Sequence, residues 1–417
     1  MVAANREPAS SLSRSAILDE IRKAGQISRV EIAERTGQSR SLVTNITADL
    51  IREGLIIEKE TIVSKSRGRR RVLLGLNPDA VYVAGVKVSA LQVSFAVTDF
   101  QAGVKSSLVV PVRTGERPVE FLADVIEEGL RHCAKAARLN MSAISGIGIG
   151  IPGFIDSATG ICHWTPLYEN CETSLRDLIR DRFDIPAYIE SDANAVTVAE
   201  QWFGLGKGVD DFIVVTIEEG VGMGIVLGGR LFTGVRGIAA EFGHMVIDPE
   251  GPPCRCGKRG CIEAYASGGG IMRAVRQAHA EGKWPCADIT QLTMPDVIDL
   301  AHGGDAVLRR IFRKAGEVLG LGVAGLLQIF NPAKMIFTGE YANSGDLLFN
   351  PMRKTIKKLV HKEYLVNTEL NVQPWVDTDW ARGAASLALQ EIYKSPLEIM
   401  RSLKENNPAP NKKKSAA

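Results

Sequence analysis

At 417 residues the chain is too long for one ordinary domain, and two or three are expected. Its 45% hydrophobic and 24% charged content is that of a soluble globular protein. It shows no apolar signal-type segment and no run of about 18 apolar residues, so it reads as a cytoplasmic protein without a membrane span.

The charge is unevenly distributed. Residues 1–78 hold 14 Lys/Arg against 9 Asp/Glu, a net of +5, and the remainder holds 36 against 39, a net of −3. A small basic domain ahead of a mildly acidic large one fits a nucleic-acid reader joined to a second function.

Residues 1–10 read as a disordered lead. A winged helix-turn-helix is expected over 11–78. Ile17, Leu18 and Ile21 recur at helical spacing, and Gly25 and Gln26 end that helix. Ser28 caps the next helix, VEIAERTG, with Glu31 three residues on as in a capping box. Ala33 allows a close helix crossing and Gly37 makes the turn. Ser39 caps a third helix, ended by Gly54. Leu42, Val43, Ile46, Leu50 and Ile51 are expected inward, leaving Arg40, Ser41, Thr44, Asn45 and Thr47 to meet base edges and phosphates. LIIEKETIV and RVLLGLN read as two wing strands joined by SKSRGRR, with Arg67, Arg69, Arg70 and Arg71 facing a phosphate backbone or minor groove. The alternative is a solvated three-helix interaction module; helix order, turn glycine and basic wing together favour double-stranded DNA.

Over 79–394 strands alternate with helices. VYVAGVKVSALQVSFAVTD supplies two or three strands, followed by a helix at 118–138 and a strand through SGIGIGI into a glycine-proline turn. TSLRDLIRDRF is a helix, PAYIES a strand that opens a helix through a polar loop, and DFIVVTIEEGVGMGIVLGGRLF a hairpin with a glycine-rich turn. Helices dominate from 262 to about 330, then KMIFTG is a buried strand with further helices behind it. Two consecutive α/β units imply a bilobed fold with a cleft. The polar Pro- and Lys-bearing tail, 395–417, reads as disordered.

Three of seven cysteines lie within CRCGKRGC at 254–261, ten positions beyond His244. Cys254, Cys256, Cys261 and His244 can close a tetrahedral Zn2+ shell, with Gly257 and Gly260 permitting the tight turn. A disulfide is the rival reading. The single residue between Cys254 and Cys256 and the absence of any sign of an oxidising compartment speak against it. Glu241 and Glu263 flank this loop, which points to a polar pocket beside it.

The runs GIGIPGFID at 148–156, ESDANAVTVAE at 190–200, AAEFGHMVIDP at 239–249 and GPPCRCGKRGCIEAYAS at 251–267 resemble the ROK family of repressors and sugar kinases, over residues 12–390. The N-terminal segment ending in GRRR and LNP looks like that of the repressor branch. The resemblance implies a winged helix followed by a two-lobed, actin-like (ribonuclease-H-like) ATPase fold. It implies that Asp192, Glu241, His244 and Glu263 contact sugar hydroxyls, that the residue matching Asp192 is the base in kinases, and that His244 and the three cysteines hold zinc. Carboxylates suit vicinal hydroxyls because each accepts paired hydrogen bonds.

Departures from the kinase pattern separate sensor from enzyme. Where a kinase of the family carries Asp-x-Gly-Gly-Thr, this chain reads GVKVSALQV, with Lys87 present but the acid and both glycines missing. Where the second phosphate loop reads Gly-Thr-Gly-x-Gly-Gly-Gly, positions 218–224 read EEGVGMG, and two carboxylates repel a triphosphate. GVGMG as a dinucleotide fingerprint is weak, because it lies in a hairpin. Ser191 replaces the usual Asn before Asp192. Trp164 and Tyr168 are placed either to stack on a sugar face or to pack on their lobe. The expected function is a sugar-responsive DNA-binding regulator, a repressor of carbohydrate-utilisation genes without kinase activity. It would act as a homodimer or homotetramer on an operator, with a small sugar or polyol as effector. The alternatives are a sugar kinase with an accessory DNA-binding domain and a constitutive DNA-binding factor with a vestigial sugar site.

Overall fold

The computed structural model describes residues 9–62, 71–115, 117–168, 173–285, 288–373 and 377–394. The chain forms two compact units, one of residues 1–191 and 377–417 and the other of 192–376.

The first unit begins with α1 (Ala9–Ala24), β1 (Ile27–Ser28), α2 (Arg29–Thr36), α3 (Arg40–Arg52), β2 (Ile56–Ile62) and β3 (Arg71–Leu76). The capping box at Ser28 and Glu31 is formed, Gly37 takes the left-handed conformation at φ 66°, and the Ser39 hydroxyl accepts from Leu42 N. These local contacts set the turn between α2 and α3. Ile17, Leu18, Ile21, Ile32, Val43, Ile46 and Leu50 are buried with Leu55 and with Ile56 and Leu74 of the three-stranded sheet, ordered β1-β3-β2. The wing tip, including Arg67, Arg69 and Arg70, lies outside the described residues.

The same unit continues through β4 (Tyr82–Val88), β5 (Gln92–Asp99), β6 (Val104–Pro111), α4 (Val119–Ala136), β7 (Ile144–Ile151), β8 (Phe154–Asp156), β9 (Ile161–Trp164), α5 (Leu175–Phe183) and β10 (Ala187–Ser191). Its five-stranded sheet has the order β10-β7-β4-β5-β6; β7 is parallel to β4 and β10, and the β4-β5-β6 edge is antiparallel. α4 and α5 pack on one face.

The second unit holds α6 (Asp192–Phe203), β11 (Phe212–Ile217), β12 (Val221–Leu227), β13 (Arg230–Leu231), α7 (Glu263–Ala266), α8 (Gly268–Ala280), α9 (Met294–His302), α10 (Ala306–Phe330), β14 (Lys334–Thr338), α11 (Asp346–Leu359), α12 (Glu363–Val366) and β15 (Glu369–Val372). Its sheet runs β13-β12-β11-β14-β15, with β11, β14 and β15 parallel. α6 packs on β11 and β12. A Cβ on Gly222 would lie 2.9 Å from Ala193 Cβ, and one on Gly224 would lie 2.1 Å from Thr197 Oγ1. Gly222 and Gly224 therefore permit close contact between α6 and β12.

α13 (Asp377–Lys394) then returns to the first unit and covers the other face of its sheet. Contact is so close that a Cβ on Gly148 would stand 1.8 Å from Ala384 O. Beyond the expected elements the structure adds β1, β6, the β8–β9 hairpin and β15.

Candidate functional site

The outward face of α3 carries exposed Arg40, Ser41, Thr44 and Asn45. Thr44 Oγ1 donates to Arg40 O at 2.7 Å, which leaves its oxygen free to accept from a base or phosphate group. Two side chains exchange faces relative to expectation. Thr47, expected outward, is fully buried, and Leu42, expected inward, is 39% exposed. The inward stripe is 43, 46, 47 and 50, the i, i+3, i+4, i+7 spacing of one helix face. The Thr47 hydroxyl is accommodated there because it donates to Val43 O at 2.8 Å and accepts from Arg29 Nε at 3.0 Å.

The second site lies in the second unit, around the segment 241–263. Cys254, Cys256 and Cys261 form a knuckle closed by Cys254 N donating to Lys258 O at 2.8 Å and Gly260 N to Pro252 O at 2.8 Å. Gly257 and Gly260 have φ of 86° and 66°, a region that costs other residues strain. His244 comes from the short turn Phe242–His244 and turns Nδ1 to Cys254 Sγ at 3.6 Å. Cys256 Sγ and Cys261 Sγ lie 3.7 Å apart. Metal–sulfur bonds of about 2.3 Å in a tetrahedron place two sulfurs about 3.8 Å apart, so this separation fits ligands to one ion. The four ligand atoms all lie within 4.8 Å of one another. The described cysteines are free thiols, so the disulfide reading does not hold for this cluster. Burial, then contact with Cys256 and Cys254, pushes the Cys261 thiol up to about 12, a crowding that a bound cation relieves. Desolvation, aided by Arg255 and Lys258, lowers the His244 pKa against the pull of Glu263, favouring the neutral ring that ligates metals.

Three carboxylates accompany the cluster. Asp192 opens α6 and accepts from Ala193 N at 2.9 Å. Glu241 precedes the His244 turn. Desolvation first, then the charges of Glu263 and Asp192, push its carboxyl up to about 7, with Lys258 opposing. Glu263 is buried at the start of α7. Its Oε1 accepts from Arg255 Nε at 2.8 Å, and its Oε2 accepts from Arg255 Nη2 at 3.0 Å and from Val221 N at 3.2 Å. Asn194 is buried within the first turn of α6.

The β11–β12 turn, Glu218–Gly220, adjoins this group. Gly268 N donates to Glu218 O at 2.8 Å, and Tyr341 OH donates to Glu219 Oε1 at 2.8 Å. Desolvation and the negative charge of Glu219 raise the Tyr341 pKa. In the first unit, Lys87 is buried with Nζ 4.1 Å from the Trp380 ring centre. Tyr168 is buried in the core there, and Trp164 packs against Phe154 at 5.4 Å, so both aromatics have packing roles. Arg255 and Tyr341 carry no local sequence signal. Their partners are eight and 122 residues away, and only the unpaired charge inside CRC hints at the first.

Comparison with known proteins agrees with this geometry. The ROK family model matches residues 83–391, and a winged helix-turn-helix DNA-binding model matches 12–57. The xylose repressor of Bacillus subtilis is 30% identical over 381 residues, 91% of this chain and 96% of that protein. The crystal structure of a ROK family transcriptional regulator, a homologue of the E. coli MLC protein, superposes with a TM-score of 0.79 at 25% identity, covering 94% of this chain and 98% of that one. A ROK family glucokinase from Streptomyces griseus, solved with glucose and AMPPNP, covers 74% of this chain and 99% of its own at a TM-score of 0.65 and 28% identity. The chain is therefore a member of the ROK family, with a winged helix-turn-helix ahead of the family's α/β body.

Proposed function

We propose that this protein is a sugar-responsive transcriptional regulator, a repressor of carbohydrate-utilisation genes. The observation that carries the reading is one chain holding both an exposed polar helix face in a winged helix-turn-helix and a carboxylate group braced by a Cys3His cluster. Arg40, Ser41, Thr44 and Asn45 contact the operator, joined by Arg67, Arg69 and Arg70 of the wing. Two copies or four engage a two-fold symmetric site, as operator symmetry favours. Asp192, Glu241 and His244 accept and donate hydrogen bonds to a sugar or polyol, with Glu263 completing the acidic wall. Nδ1 of His244 faces the thiols, so Nε2, on the other side of the ring, is the atom for the ligand. The effector changes DNA affinity only by binding one conformation better than another.

The ion suited to this ligand set is zinc, held by His244, Cys254, Cys256 and Cys261. When bound it supplies the positive charge that keeps the thiols ionised and the knuckle closed. Cys256→Ser is expected to lower zinc to well under one per chain by elemental analysis and to abolish the sugar response. A purified parent without zinc, matched by a Cys256→Ser variant that responds normally, rejects the metal assignment.

The protein is proposed to lack phosphoryl transfer. Support comes from Glu218 and Glu219 in the β11–β12 turn, the latter tied to Tyr341, and from Lys87 where the kinase pattern has an acid. Carboxylates there oppose a triphosphate chain. Fluorescence anisotropy with promoter DNA from its own gene, titrated with D-xylose, D-glucose and N-acetylglucosamine, tests the regulatory reading. DNA binding reversed by one sugar is expected. Sugar-dependent ADP release that disappears in Asp192→Asn would instead establish the kinase alternative.

A further inference from the structure

Glu263 reads in sequence as a sugar-binding carboxylate, yet its acceptor capacity is largely spent inside the protein. A carboxylate offers about four lone-pair positions. Four donors reach it, two from the Arg255 fork, one from Val221 N and one from the Cys254 thiol, whose Sγ stands 3.8 Å from Oε1. Arg255 stands between two metal-ligand cysteines, its side chain 42% exposed, while Glu263 beneath it is 6% exposed. The guanidinium lies over Gly220 so closely that a Cβ there would meet Arg255 Nη2 at 2.4 Å and Glu263 Oε2 at 2.8 Å. A side chain at 220 would displace the guanidinium from this position. Gly220 has no left-handed φ, so its lack of a side chain answers to space and not to backbone conformation.

We propose that Arg255 is a positioning residue of the ligand site: it holds the Glu263 carboxylate against Val221 N, joins the cysteine knuckle to the β11–β12 turn, and so leaves hydroxyl recognition to Asp192, Glu241 and His244. Planarity makes arginine the side chain for this task, because two parallel N–H bonds fix a carboxylate in plane and angle where a lysine fixes only a charge. Glu263 bonded in this way cannot rotate toward a ligand. It carries the knuckle's rigidity to Val221, the first residue of β12, through one side chain.

The inference rests on the ligand-site reading above, and its test separates the two. In the full-length metal-loaded protein, Arg255→Met removes the fork, Arg255→Lys keeps the charge without the fork, and Gly220→Ala displaces the fork while leaving Arg255 in place. Calorimetry with D-xylose, D-glucose and N-acetylglucosamine and elemental analysis are run on each. All three variants are expected to bind the parent's sugar about 10- to 100-fold more weakly, the range for losing a supporting partner, while retaining the parent's metal content. Gly220→Ala combined with Arg255→Met is expected to be no worse than either alone, since both break one contact. Parental affinity in Gly220→Ala or Arg255→Lys overturns the fork as the positioning element. Loss of metal in step with affinity assigns Arg255 to the knuckle's own stability and also overturns it. A parent that binds none of the three sugars overturns the ligand site itself.

Discussion

Asn45 is the side chain on α3 best suited to read a base, since its amide can both donate to and accept from an adenine edge. It is exposed on the same face as Arg40, Ser41 and Thr44. Asn45→Ala is expected to weaken operator binding by about 1–3 kcal/mol and to relax preference at one base pair, as measured by anisotropy against single-substitution operators. Equal loss across all operators would mark Asn45 as a phosphate contact instead. At this scale much was legible. Arg40, Ser41, Thr44 and Asn45 are polar or basic and lie on the exposed arc, and the type and spacing of His244, Cys254, Cys256 and Cys261 pointed to the cluster they form. The misplacement of Thr47 and Leu42 has a plain cause. Hydropathy assigns threonine outward and leucine inward, whereas Arg29, eighteen residues earlier, satisfies the Thr47 hydroxyl in the interior.

At the scale of elements, helix ends carry the clearest local code. Asp305 caps α10, its Oδ1 accepting from Val307 N and Leu308 N at 2.9 Å each and its Oδ2 from Trp284 Nε1 at 2.8 Å. Desolvation opposes ionisation, but the hydrogen bonds from Leu308, Trp284 and Val307 outweigh it and hold the carboxyl below its ordinary 3.8. A depressed pKa contributes stability that is present above the unfolded value and is lost as pH falls through the folded one. Asp305→Ala is therefore expected to cost about 1–2 kcal/mol at pH 7 and progressively less as pH drops below about 4, by urea titration at several pH values. A pH-independent penalty would place the effect in packing around Trp284. Capping signals at Ser28, Ser39 and Thr293 are equally local, since each involves residues no more than three apart. The short strands β1 and β15 were not legible, because each is a strand only by virtue of the neighbour it pairs with, β3 and β14.

Over the whole molecule, α13 links distant parts of the chain. Tyr393 is buried, stacked on Phe100 at 4.8 Å, and donates to Phe100 O at 3.2 Å; beside it Ser15 of α1 donates to Lys394 O at 2.9 Å. Gln101 Nε2 donates to Leu76 O at 2.8 Å, a second tie between the winged helix and the sheet of the first unit. Tyr393→Ala is expected to cost about 3–5 kcal/mol and to weaken operator binding, because it loosens the end of α13 against which α1 rests. Affinity for the proposed sugar ligand should stay within about twofold, by thermal melting, anisotropy and calorimetry. Unchanged melting would remove α13 from this role. The sequence by itself determined the winged helix, the family body and the Cys3His cluster, since turn glycines, caps and thiol spacing are short-range constraints. Only the tertiary structure decided that the last helix closes the first sheet, that Thr47 is interior, and that Glu263 is clasped by Arg255. Each of these depends on which distant groups meet, and neither periodicity nor residue type encodes that.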